Sequence, residues 1–415
     1  MAPVQKWQFK ARMRARSYNW RGTALATARL KAAVSEIKKV AKTDPVAAGG
    51  GVVSLMERIW PAFQDIDTSS GALGTAVART LDELIPILIA APADRATRGK
   101  WLERLFQAVQ DDGVQYLTPA EDRWGEIAQY PELINDYADR LLWVVRRAWA
   151  NHNGFEYVAG TAICLSCLLE AGRYAELQEL LATRRSKFWS WHRFGAEALV
   201  RQGLWEAAIA FADGARHTSN SPYEDRSIDR FCEDLLIGHG RADEAYLRYG
   251  QGAAEGTTNL AIFRALAKRY PERDRRQTLI DLIETRSDKG KWFAAAKDAG
   301  FLDIALECAE LNGVDPSTLV RAARDFCDKE PRFAAMVALL AIRHLLAGGG
   351  YDPPVSDAAD ATTHLIAAAR QIESIDWAVR ELGKLAEGPC SPDREEFRRT
   401  IKAELLRHGG GKKRA

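Results

Sequence analysis

Almost every stretch between the Gly, Pro and Asp-Pro breaks of this chain repeats its apolar residues at spacings of three and four. No stretch alternates long enough to read as a strand. That pattern confines the fold to the all-α class, built from stacked helical hairpins. Within residues 24–42, Leu30, Val34, Ile37 and Ala41 predict one buried face, with Lys31, Lys38, Lys39 and Lys42 lying off it. Asp44-Pro45 reads as a stop, a cap and a first-turn proline. The return helix runs over 46–60, with Gly49 to Gly51 a candidate break. A second pair covers 73–91, with a kink expected at Pro86, and 93–110. The strongest apolar runs, Leu84 to Ala91 and Met336 to Ile342, fall far short of the roughly 20 residues a membrane-spanning helix needs, so no membrane partner is expected.

Charge divides the chain more sharply than its total suggests. Net charge is only +2 over 415 residues, yet residues 1–42 hold eleven Lys and Arg against the single acid Glu36. A basic segment on a mildly acidic body suits contact with nucleic acid, an acidic surface or the chain's own body. An organelle transit peptide shares this composition, but the segment runs into a structural helix. Six scattered cysteines do not make a disulfide framework, so a reducing, cytoplasmic compartment is expected.

The middle of the chain repeats a loose motif: Gly172-Arg-Tyr-Ala-Glu-Leu, Gly203-Leu-Trp-Glu-Ala-Ala, Gly240-Arg-Ala-Asp-Glu-Ala, Gly290-Lys-Trp-Phe-Ala-Ala and Gly300-Phe-Leu-Asp-Ile-Ala. Glycine permits the tight reversal that ends one helix, and a small residue five positions on, present in all but the first, lets the next helix approach closely. The first two intervals, 31 and 37 residues, bracket the period of about 34 found in paired-helix repeats. Over residues 156–313 the chain resembles the tetratricopeptide-like helical-repeat superfamily, which carries a similar Gly-x-aromatic-x-Glu-Ala run. It departs from that family in the first helix of each repeat, where the expected Trp and Gly do not recur. The resemblance implies an α-solenoid. The whole chain is also similar to a group of uncharacterised bacterial α-helical proteins, which implies no activity.

The expected organisation is a basic N-terminal arm over 1–22, helical hairpins over 23–155, tetratricopeptide-like repeats over 156–313, a C-terminal helical cap over 314–405 and a flexible tail over 406–415. Terminal units of a repeat array must hide an otherwise open apolar face, which favours the cap.

Few residues suggest chemistry. Cys164 and Cys167 lack the two further ligands of a zinc site and read as core thiols. The seven histidines show no helical metal pairing, and Gly49 to Gly51 lacks the Lys-Ser/Thr of a phosphate loop and reads as a flexible connection. No cofactor, metal or catalytic residue is assigned.

Two segments stand out as partner-binding. In the arm, Lys6, Lys10, Arg12, Arg14 and Arg16 interleave with Trp7, Phe9, Tyr18 and Trp20, the chemistry of single-strand recognition. The competing view makes Trp7, Phe9 and Trp20 apolar anchors, with the charges left in water. In 184–194, the residues Arg184, Arg185, Lys187, Trp189, His192 and Arg193 lie where one repeat hands over to the next, though at least one of Trp189 and Trp191 should face the core. The leading reading is a non-catalytic scaffold that grips a protein segment on its concave surface. Nucleic-acid binding through the arm and the 184–193 patch is the alternative, and an enzyme acting on nucleic-acid bases is less favoured.

Overall fold

A computed structural model describes residues 5–150, 158–184, 186–216 and 221–409. Among these residues the protein is all helical, with no strand. None of its helices is long and apolar enough to cross a membrane. The chain divides into two compact units, Met1–Ile228 and Asp229–Ala415.

The first unit opens with the one-turn helix α1 (Phe9–Arg12), then α2 (Thr23–Ala41), α3 (Pro45–Phe63), α4 (Ala72–Ala90) and α5 (Arg95–Asp111). Two short helices, α6 (Thr118–Asp122) and α7 (Trp124–Ala128), lead to α8 (Pro131–Ala150). Two hairpins follow, α9 (Thr161–Glu170) with α10 (Tyr174–Ala182) and α11 (Trp189–Arg201) with α12 (Trp205–Asp213). α2 buries Leu30, Val34 and Ile37 as its periodicity requires and leaves Lys31, Lys38 and Lys39 exposed, with Lys42 exposed just past its end. Asp44 caps α3, its Oδ1 accepting from the Ala47 N–H at 2.9 Å, with Pro45 in the first turn.

The glycine triplet is not a flexible break. α3 runs unbroken from Pro45 to Phe63, and the glycines make a flat seat for two indoles. A Cβ on Gly51 would lie 2.4 Å from the Trp7 ring, and one on Gly49 would lie 2.7 Å from the Trp101 ring. The helix tolerates glycine here because the missing side chains are replaced by tryptophan faces. α4 likewise continues through Pro86.

Trp7 carries the arm into the core. Its ring packs with Phe9 at 5.4 Å, and Phe9, Met13 and Tyr18 are buried beside it. Glu36 of α2 accepts hydrogen bonds from the Gln8 and Phe9 N–H groups at 2.7 and 3.2 Å, so the only acid of this basic segment ties the arm's backbone down.

A buried arginine joins three elements of the same core. Arg98 of α5 is fully buried, and its guanidinium donates to the carbonyls of Leu88, Ile89 and Ala91 at the end of α4 and of Ile127 in α7. Its partners are carbonyls at two helix C-termini, where the helix dipole is negative.

The repeated glycines end their helices with one shared turn. At Gly172, Gly203, Gly240 and Gly300, φ lies between 71° and 88°. In each, the next residue's N–H closes back on a carbonyl five residues earlier, as Arg173 does on Leu168 at 3.0 Å and Arg241 on Leu236 at 2.8 Å. Gly290 departs from this set. It sits in a 3₁₀ turn, Lys289–Trp292, where a Cβ would meet the Asn312 carbonyl at 2.6 Å.

The second unit takes in most of α13 (Pro222–Gly238), then α14 (Ala242–Ala245), a π-helical turn at Tyr246–Gly250 and α15 (Gln251–Ala253). Next come α16 (Asn259–Arg269), α17 (Arg275–Glu284), α18 (Phe293–Asp298), α19 (Leu302–Glu310) and α20 (Pro316–Phe326). It closes with α21 (Pro331–Leu346), α22 (Ser356–Gln371), α23 (Ile375–Glu387) and α24 (Glu395–Gly409). Glu233 of α13 is buried at 1% exposure and accepts from Tyr270 Oη at 2.7 Å and Arg230 at 2.8 Å. The ion pair and the tyrosine satisfy a carboxylate that could not otherwise stay inside.

Candidate functional site: a basic groove in the first unit

The 184–194 segment does not form one exposed face. Arg184 is 6% exposed, with its guanidinium 3.7 Å from the Trp191 ring centroid and 5.0 Å from those of Trp149 and Phe188. Aromatic faces and a desolvated cation hold one another there. Trp189 is buried, and His192 is buried with its ring stacked on Phe211 at 5.6 Å. Burial and the neighbouring Lys187 and Arg184 charges lower the His192 pKa to about 4, which keeps the ring neutral at pH 7. Arg193 pairs with Asp122 at 2.8 Å and Glu197 at 3.3 Å, and Lys187 donates to the Gly214 carbonyl at 3.3 Å. Arg185 lies outside the described residues. This segment's charges and rings mostly hold the unit together.

The carboxylates around Arg193 are structural as well. Asp112 accepts from the Val114 and Leu117 amides at 3.2 and 2.9 Å and shapes the loop into α6. Burial first, then the nearby Asp122 and Asp112, raise the Glu121 pKa to about 7. The sign of the resulting pH dependence follows directly. Below about pH 4.5 Glu121 is protonated in both folded and unfolded chains and has no effect. Between there and pH 7 only the unfolded chain releases the proton, so stability falls as pH rises, and the full cost persists above pH 7. Glu121→Gln is therefore expected to raise the melting temperature by about 5 °C at pH 8 and to leave it unchanged at pH 4. Melting curves at the two pH values check this; equal shifts at both would contradict it.

Cys164 and Cys167 are fully buried on α9, where burial pushes the Cys164 thiol up to about 12 and raises Cys167 well above its ordinary value. Neither is a thiolate at neutral pH. Among the described residues, no three His, Cys, Asp or Glu side chains converge as metal ligands would.

The arm's cations take the opposite disposition to its rings. Lys6, Arg12, Arg14 and Arg16 are exposed and Lys10 is half-buried, while Trp7, Phe9 and Tyr18 are buried. Trp20 differs from the other rings: it is 66% exposed.

One concavity of the first unit gathers mainly positive charge. Between α2 and α4 lies a groove of about 690 Å³, lined by Lys31, Lys38, Lys39 and Lys42 from one helix and Arg79 and Glu83 from the other. Its floor is Val34 and Ala76, with Thr27, Ser35 and Thr80 between. Glu83 pairs with Lys38 at 2.5 Å, which leaves Lys31, Lys39, Lys42 and Arg79 with no ion pair among the described residues. Lys38, Lys39 and Lys42 sit near the C-terminus of α2, where the helix dipole favours cations. That local effect does not reach Lys31, two turns earlier, or Arg79 in mid α4. Like charges converging on one groove repel one another, so their common focus is a potential well for an anion.

The lysines of this groove are visible in the sequence as the off-core face of α2. Arg79 is not, because its convergence with them depends on α4 packing beside α2 some forty residues along the chain. No family model, curated protein or solved structure matches this chain.

Proposed function

We propose that this protein is a non-catalytic helical-repeat scaffold, a tetratricopeptide-like stack of hairpins, that grips an acidic amphipathic segment of a partner protein in the α2/α4 groove. The observation that carries the reading is five cations and one carboxylate around an apolar floor. An amphipathic helix laid in such a groove sets apolar side chains on the floor and carboxylates against the rim. Thr27 to Lys42 spans about 24 Å along α2, which fits roughly four helical turns of a guest. Among the described residues no aromatic side chain lines the groove, which argues against single-stranded nucleic acid as its occupant, since stacking on rings is the main sequence-tolerant contact for bases.

The test uses a fluorescein-labelled peptide of about 16 residues, with Leu at helical three-four spacing and Glu elsewhere. Fluorescence anisotropy is expected to show saturable binding that weakens with salt. Reversing Lys31, Lys39, Lys42 and Arg79 to Glu is expected to cost about 100-fold in Kd, since each rim charge contributes several tenths of a kcal/mol or more and reversal turns attraction into repulsion. These side chains are exposed, so the chain should stay folded, with a melting temperature lowered by no more than a few degrees by the anions at the α2 C-terminus. Unchanged affinity in the folded variant would remove the groove from the account.

A further inference from the structure

The arm presents a second surface, separate from the groove. Glu36, which receives the arm, and Lys31, Lys38 and Lys42, which face α4, lie on different sides of α2. On the arm, the rings of Trp7, Phe9 and Tyr18 point inward while Lys6, Arg12, Arg14, Arg16 and Arg21 stand in solvent. None of these five cations makes an ion pair among the described residues, whereas arginines elsewhere in the unit, such as Arg104, Arg173 and Arg193, are paired with carboxylates. The one acid close by in the sequence, Glu36, is committed to the Gln8 and Phe9 amides and cannot neutralise them.

Trp20 precedes Arg21 in the same arm and has 66% of its surface in water. Its backbone is held rather than loose: the Trp20 carbonyl accepts from the Asp67 N–H at 3.0 Å, and the Gly22 N–H donates to the Asn19 carbonyl at 2.9 Å. An exposed indole within ten residues of four exposed, unpaired arginines has the two parts that hold a single strand, a flat face for a base and cations for the flanking phosphates. A duplex hides its base faces and leaves the indole without a contact.

We infer that the outer face of the arm binds single-stranded nucleic acid, with the Trp20 ring stacking on a base and Arg12, Arg14, Arg16 and Arg21 contacting phosphates. The experiment titrates the full chain into fluorescein-labelled oligo-dT of about 20 nucleotides at several salt concentrations, beside a duplex of equal length and phosphatidylserine vesicles. Saturable oligo-dT binding is expected. Trp20→Ala should weaken it about 10-fold, the cost of one lost base stack. The joint change of Arg12, Arg14, Arg16 and Arg21 to Gln should flatten the slope of log K against log salt by about three. Both variants should melt with the wild type, because none of the altered side chains is buried. Groove reversal at Lys31, Lys39, Lys42 and Arg79 should leave oligo-dT binding within a few-fold, so this surface and the groove stand or fall separately. The inference is overturned if oligo-dT does not bind at low salt, if Trp20→Ala binds as tightly as wild type, if the duplex binds more tightly, or if only the vesicles are bound.

Discussion

Replacing Arg98 by Met will lower the melting temperature of the full chain by more than 10 °C or leave the chain insoluble. The guanidinium serves four carbonyls, of Leu88, Ile89, Ala91 and Ile127; Ile89 also accepts from the Gln129 side chain and Ala91 from the Ala93 N–H, whereas Leu88 and Ile127 lose their side-chain donor with Arg98. Methionine matches the length and fills much of the volume but donates nothing. Each buried carbonyl left without a donor costs about 1–3 kcal/mol, so Leu88 and Ile127 together cost about 2–6 kcal/mol, a large share of a domain's stability of about 5–15 kcal/mol. Lysine keeps the charge but gathers its donors at one point, so Arg98→Lys should recover only part of the loss. Thermal unfolding followed by far-ultraviolet circular dichroism checks this. A Met variant melting within 3 °C of wild type would show that the carbonyls find other partners.

Removing residues 1–21 is the second large effect. Trp7, Phe9, Met13 and Tyr18 are all at most 9% exposed, and burying each contributes about 1.5–3 kcal/mol. Their loss strips the Trp7 ring from Gly51, uncovers α3 and frees the Glu36 carboxylate. The first unit is expected to lose its cooperative transition or to melt at least 15 °C lower. A charge-only control separates anchoring from solvated charge. Gln at Lys6, Arg12, Arg14, Arg16 and Arg21 should shift the melting temperature by no more than about 2 °C, since exposed and unpaired cations contribute little to stability. A stable truncated chain would mean that the arm's rings only rest on a core that closes without them. The arm thus follows the anchoring reading at Trp7 and Phe9 and departs from it at Trp20, which is turned to solvent.

The sequence carries what local physics decides. Helices, their N-terminal caps at Asp44 and Asp315, and the left-handed turns at Gly172, Gly203, Gly240 and Gly300 are set by residues within a few positions of one another. Contacts across tens of residues are not legible that way. Gly49 to Gly51 look like a hinge until Trp7 and Trp101, some forty and fifty residues away in opposite directions, are seen seated on them. Arg184, Trp189 and His192 have the composition of a binding face, yet Trp149, Trp191 and Phe211 enclose Arg184 and His192, and Trp189 is itself buried. A cation among aromatic rings reads the same in sequence whether the rings hold it or a ligand does. Arg98 has no sequence signal at all, because its partners are backbone carbonyls. The groove is half legible, from the lysines of α2 but not from Arg79.

The most direct test of the central claim is a charge swap in the anisotropy assay. The chain with Lys31, Lys39, Lys42 and Arg79 changed to Glu is titrated with the acidic peptide and with a twin carrying Lys at every Glu position. If the groove holds its guest by rim charge over an apolar floor, the wild type takes only the acidic peptide and the reversed protein takes only the basic one. If both proteins prefer the acidic peptide to the same degree, the guest sits elsewhere and the groove is not the binding site.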